Sequence, residues 1–544
     1  MQFTFRFPQS SIRIIDVLAN PESTKNGPGV LATMTKNSVA NLFRSGSAWI
    51  IVLFLPPLLV HTMDKSAYGV WLLLLQLAAY ISIFDGGIQI AVARYVARAE
   101  ELKDHGHLAR LLSSAGMFLI AASLLTILLL AFVSWHLTSI FRDIPASIAP
   151  SAREALLVVG ASLALTLPFS VLAGFFLGHQ KNEIPALAVI FGKFAGALGI
   201  SWAAYHHQGL LAMAIWVGIG NLIQCLIYVV LWNKEENRAK LRPSLVEGAM
   251  AREFVVFCSA MFVSQFSMIL ITGLDMPIVA AFDFRSVAYY GVASILSNAL
   301  TVPHGAIVST LLPVAAGISA GDDPQRLGQT LVKTTRVATA VLILITLPLL
   351  LLMPLVLRIW VGPDYATHSL LLAETLVVAQ FARLTMLPYA IIGFAAGQQH
   401  RMLVAAFGEA IVNLISSVAL VQVIGARGVA LGTLIGAVVS VWLHLTVSLT
   451  KTDRIQANRS ELIRLGILKP LAFAVPFVIC TLLVARFLSP LLYVLLVGSA
   501  EIAVFALLWR FNFDSSERKQ LLGVFLHFAD VLRRRLPHWA LRNS

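Results

Sequence analysis

Apolar runs of about 20 residues, separated by short polar breaks, recur along nearly the whole chain. They predict helices over Asn41–His61, Tyr68–Ala93, Leu112–Trp135, Ala155–Gly178, Ile184–Tyr205 and Gly209–Trp232. After a polar break the pattern resumes at Phe254–Ala281, Ala288–Ala316, Val337–Leu357, Ser369–Gly397, Met402–Ile424 and Gly428–Leu449. A second break precedes Leu471–Ala485 and Leu491–Trp509. Backbone N–H and C=O groups find no water inside a bilayer, so each span must be a helix or a strand of a closed barrel. Barrel strands alternate apolar and polar positions over about 10 residues. These runs are longer and uniformly apolar. The expectation is an all-α polytopic membrane protein with about fourteen transmembrane helices.

Composition agrees with that pattern. The chain is 58% hydrophobic and 12% charged, with a mean hydropathy of +0.83. A soluble domain carries roughly twice that charged fraction. The net charge of +13 does not point to nucleic acid, because the basic residues lie between spans rather than on one soluble face. With the amino terminus placed in the cytoplasm, the opposite side holds only Lys65, Arg142, Arg153, Arg285, Arg358, Arg427 and Arg486. Lys193 and Arg383 fall inside spans, and the rest of the 40 Lys and Arg lie on the cytoplasmic side. So steep a bias predicts a multi-pass protein with both termini cytoplasmic. Cys225, Cys258 and Cys480 all sit in apolar stretches, which argues against a disulfide framework or a zinc site.

The expected organisation is a polar tail over 1–33, six helices over 34–232 and a cytoplasmic linker over 233–253. Six more helices follow over 254–450, then a linker with two helices over 451–512 and a cytoplasmic tail over 513–544. No cleavable signal peptide is visible, and Met34-Thr35-Lys36 would make a sensible start just before the first span. In the last segment Leu521, Phe525, Phe528 and Leu532 share a helical face beside Arg533–Arg535, the pattern of an interfacial helix on anionic membrane lipid.

The two six-helix halves carry a weak repeat. Tyr68-Gly69-Val70 returns as Tyr290-Gly291-Val292, 222 residues later. Gly178 and Gly397 close spans 219 apart, and Phe191-Gly192 returns as Phe407-Gly408, 216 apart. An even number of spans per half makes this a parallel repeat.

Chemical motifs are mostly absent. There is no phosphate-binding G-x-x-x-x-G-K-[ST] loop, no H-E-x-x-H and no G-x-S-x-G. The longest outside loop, near His136 to Glu154, lacks an acid–base set of the kind a membrane glycan polymerase or ligase needs. No enzyme activity, cofactor or metal is expected. What stands out is charge at bilayer depth, where a lone ion costs about 2.5–3.5 kcal/mol on insertion scales and usually faces a bundle interior or a wet cavity. Asp275, Glu374 and Glu409 are the deep acids of the second half, suited to binding a proton or Na⁺; silent pairing with neighbouring helices is the competing role. Arg44 and Arg94 either face a substrate or snorkel to the headgroups. Lys193 lies deeper, between Gly192 and Gly196, which predicts a face with space for a ligand. Asp85, His304 and Arg383 are further cavity candidates, with packing the competing role for His304. Lys193 and Glu409 follow the two repeated Phe-Gly pairs, so an ion pair between them is an alternative reading of both.

Tyr68-Gly69-Val70-Trp71, Phe84-Asp85-Gly86-Gly87 and Ala93-Arg94-Tyr95-Val96 resemble the first helical hairpin of bacterial polysaccharide flippases of the Wzx type. These belong to the multidrug/oligosaccharidyl-lipid/polysaccharide exporter superfamily. Asp275-Met-Pro-Ile-Val with Ala288-Tyr-Tyr-Gly-Val resembles the hairpin opening their second half, and Leu312-Pro313-Val314 resembles the end of their eighth helix. The resemblance implies two six-helix lobes in a V shape, with two extra carboxyl-terminal helices. It implies transfer of an undecaprenyl-pyrophosphate-linked oligosaccharide, an O-antigen or exopolysaccharide repeat unit, across the bacterial inner membrane. It also implies basic cavity residues on the pyrophosphate, carried here only by Arg44, Arg94 and Lys193, and a polysaccharide polymerase and chain-length proteins as partners. The nearest rivals are a drug/cation antiporter of the same superfamily and a lipid-linked peptidoglycan-precursor flippase.

Overall fold

The structure is a computed structural model describing residues 50–81, 88–102, 104–235, 242–248, 252, 266, 269–309, 311–484, 487–515 and 518. Arg44, Asp85, the segment before residue 50 and the Leu521–Leu532 face lie outside the described residues.

Among the described residues every regular element is helical. In chain order the α-helices of eight residues or more are α1 (Ile50–Thr62), α2 (Lys65–Ala79), α3 (Ile88–Leu102), α4 (His105–Trp135), α5 (Ala149–Thr166), α6 (Ser170–Gly178), α7 (Glu183–Tyr205) and α8 (Gly209–Asn233). Then come α9 (Asp275–Phe282), α10 (Val287–Asn298), α11 (Thr301–Val308), α12 (Leu311–Ala320), α13 (Pro324–Leu351) and α14 (Met353–Trp360). The series ends with α15 (Pro363–Thr385), α16 (Leu387–Ala395), α17 (Gln399–Ile424), α18 (Ala426–Leu443), α19 (Lys469–Val484) and α20 (Pro490–Leu507). Among the described residues, ten helical stretches are long and apolar enough to cross a membrane. The other expected spans fall on shorter, interrupted or partly undescribed segments, so the count of fourteen stays an expectation.

Proline explains most of the interruptions, because it has no N–H and its ring crowds the preceding turn. Pro168 separates α5 from α6, Pro354 opens α14 and Pro388 opens α16. The repeat reappears as geometry. Lys181 N–H donates to Phe176 O and Gln398 N–H to Gly393 O, each at 2.8 Å, closing the same turn in both halves. The left-handed residue is Gln180 (φ 58°) in the first and Gly397 (φ 71°) in the second, 217 apart. Gly397 therefore corresponds to Gln180, not to Gly178 as the sequence spacing suggests.

Packing divides the chain into two compact units. The first comprises Met1–Val302, Leu357–Gln380 and Leu403–Leu443. In it α7 lies along α8, α8 against α5, α3 against α6, and α10 against α2. The second comprises Pro303–Val356, Phe381–Met402 and His444–Ser544. There α13 packs on α19, α20 and the turn that follows α20 through Ala340, Ile343, Leu347 and Leu351 against Ala474, Val497, Val504 and Leu508. The two carboxyl-terminal helices are thus docked on α13 within this unit.

Candidate functional site

The chain reaches α9 through a π-helical turn, Ile269–Gly273, and a bend at Leu274. Pro277 has no N–H to give to the carbonyl four residues back, Gly273. That carbonyl is taken instead by the Tyr80 hydroxyl, at 2.6 Å, from the residue that caps α2. Ile271 O accepts from Asn413 Nδ2, also at 2.6 Å. A helix broken at membrane depth is tolerated only where other groups satisfy the freed backbone, and such breaks serve as ion sites in transporters.

The Asp275 carboxylate sits at this break and is only 6% exposed. Its Oδ2 accepts from the Tyr290 hydroxyl at 3.1 Å and the Thr433 hydroxyl at 2.9 Å, and its Oδ1 from Asn413 Nδ2 at 3.3 Å. Thr433 is also 3.0 Å from Val429 O, and Ser417 Oγ lies 2.9 Å from Asn413 Oδ1 and 3.3 Å from Val429 O. Each hydroxyl has one hydrogen and two acceptors in reach. Turning Thr433 toward Val429 offers Asp275 a lone pair instead of a donor. The cluster can therefore accommodate either a carboxylate stabilised by donors or one that has taken up a proton or cation.

Small residues bring the partners together. A Cβ on Gly436 would lie 2.9 Å from Asn413 Cβ and 3.2 Å from the Glu409 carbonyl oxygen, so α18 approaches α17 to backbone contact only because glycine stands there. Asp283 accepts from the Ala426 N–H at 2.9 Å and fixes the start of α18. Among the described residues there is no group of three His, Cys, Asp or Glu to hold a transition metal. One carboxylate among neutral oxygens suits a proton or an alkali cation.

The sequence-derived candidates separate. Glu409 is buried, at 3% exposure, one helical turn from Asn413 on the same face of α17, so it borders the Asp275 cluster. Glu374 is half-buried on α15. Arg383 is half-buried near the end of that helix. His304 is fully buried against the Ala338 backbone of α13. Arg94 is exposed on α3.

Lys193 is exposed at the middle of α7. The Gly192–Gly196 face leaves no space beside it: a Cβ on Gly192 would lie 2.6 Å from Gly220 O, and one on Gly196 3.4 Å from Trp216 O, both on α8. That face is filled by a helix, and Lys193 points elsewhere. It is also off the exposed apolar stripe Leu187, Phe191, Leu198 and Trp202, being turned roughly 200° from Phe191.

A second polar cluster joins helix ends of the two sequence halves within the first unit. Lys65 Nζ lies 2.8 Å from Asp364 Oδ2, which also accepts from the Tyr289 hydroxyl at 2.9 Å. Lys65 stands over the Tyr289 ring, which stacks on His368 at 4.8 Å. Asp364, and after it Tyr289, hold the Lys65 ammonium above its ordinary value of 10.5.

Sequence reading did not find Tyr80, Tyr290, Asn413, Ser417 and Thr433. The available signal was Asn413 and Ser417 at four-residue spacing after Glu409, facing the small-residue stretch Gly428 to Gly436.

The described helices have a known arrangement. A lipid II flippase MurJ in an inward closed conformation superposes with a TM-score of 0.68 at 15% identity, covering 88% of this chain and 99% of its own. An inward-facing MATE family multidrug transporter of the MOP superfamily gives 0.64 at 14%, covering 76% and 95%. A Vibrio cholerae MATE transporter gives 0.55 at 14%, covering 77% and 95%. At such identities the likeness establishes the fold. No curated protein matches the chain significantly. The model of one family, described as polysaccharide biosynthesis protein, matches residues 58–369. This is more than half of the chain, and with the fold it bears out the resemblance drawn from Tyr68–Val96 and Asp275–Val292: the chain belongs to the polysaccharide biosynthesis protein family and has the fold of the MOP exporters.

Proposed function

We propose that this protein is a flippase for undecaprenyl-pyrophosphate-linked oligosaccharide, an O-antigen or exopolysaccharide repeat unit. It would move the head group from the cytoplasmic to the periplasmic leaflet of the bacterial inner membrane while the polyprenyl tail stays in lipid. Carrying that head group through hydrocarbon unaided is prohibitive, since each unpaired polar group costs several kcal/mol. Coupling would come from a proton or Na⁺ at Asp275, with Glu409 beside it and Glu374 on α15; one charge moved across the membrane is worth about 2.3 kcal/mol per 100 mV.

The observation that carries the reading is Lys193: an exposed ammonium halfway along a membrane helix and off its lipid-facing stripe. An exposed lysine at that depth is affordable where water and an anion reach it. Arg94, also exposed, would meet the head group nearer the cytoplasmic end, with Arg44 in the same role.

The test is deletion of the gene with analysis of surface polysaccharide, followed by complementation. Lys193→Arg should restore polysaccharide in part, because a lysine meets phosphate as a point charge. Lys193→Ala, Gln and Glu should not. If Lys193→Glu with Glu409→Lys restores export, the charges form a structural pair and the pyrophosphate role fails. Intact polysaccharide with accumulated peptidoglycan precursor would instead favour the precursor-flippase reading.

A further inference from the structure

We propose that Tyr290 couples Asp275 to the crossing of α2 and α10, so that a cation or proton arriving at Asp275 loosens that crossing. This rests on the proposed cation site and adds the route by which the site acts.

The repeated Tyr-Gly-Val motif is where the two sequence halves meet. A Cβ on Gly69 would lie 3.4 Å from the Ala288 backbone N, and one on Gly291 would overlap the Leu72 side chain. The two motifs thus pack α2 on α10, with Gly69 at van der Waals distance from the α10 backbone and Gly291 under the end of the Leu72 side chain. Polar contacts hold α2 at both ends, to α10 and α15 at one and to the turn before α9 at the other. At one end Lys65 reaches Asp364 and the Tyr289 ring; at the other, Tyr80 holds Gly273 O next to Asp275. All of these residues belong to the first compact unit.

Tyr290 belongs to both systems. Its backbone neighbour Gly291 packs on α2, and its hydroxyl donates to Asp275 Oδ2. The equivalent Tyr68 is as deeply buried, 1% exposed like Tyr290, yet among the described residues its hydroxyl has no hydrogen-bond partner. Fifteen residues before Tyr290 stands Asp275, and fifteen before Tyr68 stands Leu53. Only the second copy of the motif is tied to an acid.

The chemistry gives a direction. With Asp275 empty, Oδ2 accepts two hydroxyl hydrogens. A proton or cation on Oδ2 takes a lone pair and places positive charge beside those hydrogens, so the Tyr290 bond is lost or turned away. The helix carrying Gly291 then loses this hydrogen bond to α9, which favours parting of the contact with Leu72. Removing one bond to a carboxylate shifts such an equilibrium by about tenfold.

The experiment uses the full chain with its native cysteines replaced and Leu72→Cys added, in right-side-out membrane vesicles. A membrane-impermeant maleimide is applied from outside, in NaCl against choline chloride and in acidic against neutral buffer. Labelling should rise with Na⁺ or with protons. Tyr290→Phe should raise cation-free labelling by about tenfold and abolish the response, while Tyr68→Phe should behave as the parent. Lys65→Gln should raise labelling throughout but keep the response. A Tyr290→Phe variant that responds like the parent overturns the inference; if Asp275→Asn is unresponsive, the cation site itself still stands. An Asp275→Asn variant that still responds overturns both. A parent that does not respond, a cation that lowers labelling, or a response lost in Lys65→Gln each overturns the route through Tyr290.

Discussion

At the scale of single residues, Thr433 and Asp275 are separable. Asp275 supplies the charge, and Thr433 supplies one hydroxyl that reaches either Asp275 Oδ2 or Val429 O. A cation bound only to the folded protein raises its unfolding midpoint. The rise in midpoint between choline chloride and NaCl, or between neutral and acidic buffer, therefore reads the site without any transport assay. Asp275→Asn should abolish the rise. Thr433→Val should weaken cation affinity by about tenfold, the value of one bond to a charged group, while Thr433→Ser should keep it. An unchanged rise in Thr433→Val would remove that hydroxyl from the site.

At the scale of elements, close helix crossings decide stability, because lipid gives no hydrophobic drive for helices to associate. Gly220 on α8 lies 3.1 Å, by its would-be Cβ, from Gly196 N on α7. Gly116 on α4 has nothing within 4 Å of its own. Gly220→Leu should cost about 1–3 kcal/mol through overpacking, read as a lower midpoint in detergent, and Gly116→Leu should leave it unchanged. Equal midpoints for the two variants would mean that the α7–α8 crossing is not tight. Much at this scale was legible in the sequence. Lipid forces spans to be apolar helices, and Pro168, Pro354 and Pro388 mark breaks. The Tyr-Gly-Val repeat marked a real contact between the halves. What stayed hidden was rotation: Gly192 and Gly196 announced a face with little bulk, but not whether a ligand or α8 would occupy it. The partners of Asp275 were hidden for a related reason. Tyr290, Asn413 and Thr433 are neutral, and neutral polar residues in spans are ordinary; only the packing of α10, α17 and α18 around α9 makes them converge.

At the scale of the whole molecule, the distribution of Lys and Arg makes a prediction about sidedness that the helix packing does not contain. Ser147 stands in the connection between α4 and α5, and Ser460 between α18 and α19. Both are exposed. By the charge bias Ser147 belongs outside, near Arg142 and Arg153, and Ser460 inside, among Arg454, Arg459 and Arg464. Ser460 can be changed safely, because Asn458 rather than Ser460 caps the turn there, accepting from the Ser460 and Glu461 N–H groups. With the three native cysteines replaced, Ser147→Cys in intact cells should react with an impermeant maleimide. Ser460→Cys should react only after the membrane is opened. The same count leads us to expect Lys65, and with it the Lys65–Asp364 contact, on the outer side, at that end of the α2–α10 crossing. If both cysteines label from the same side, the assignment of that end fails. The loosening proposed at Tyr290 would then open toward the wrong compartment for release of a lipid-linked sugar.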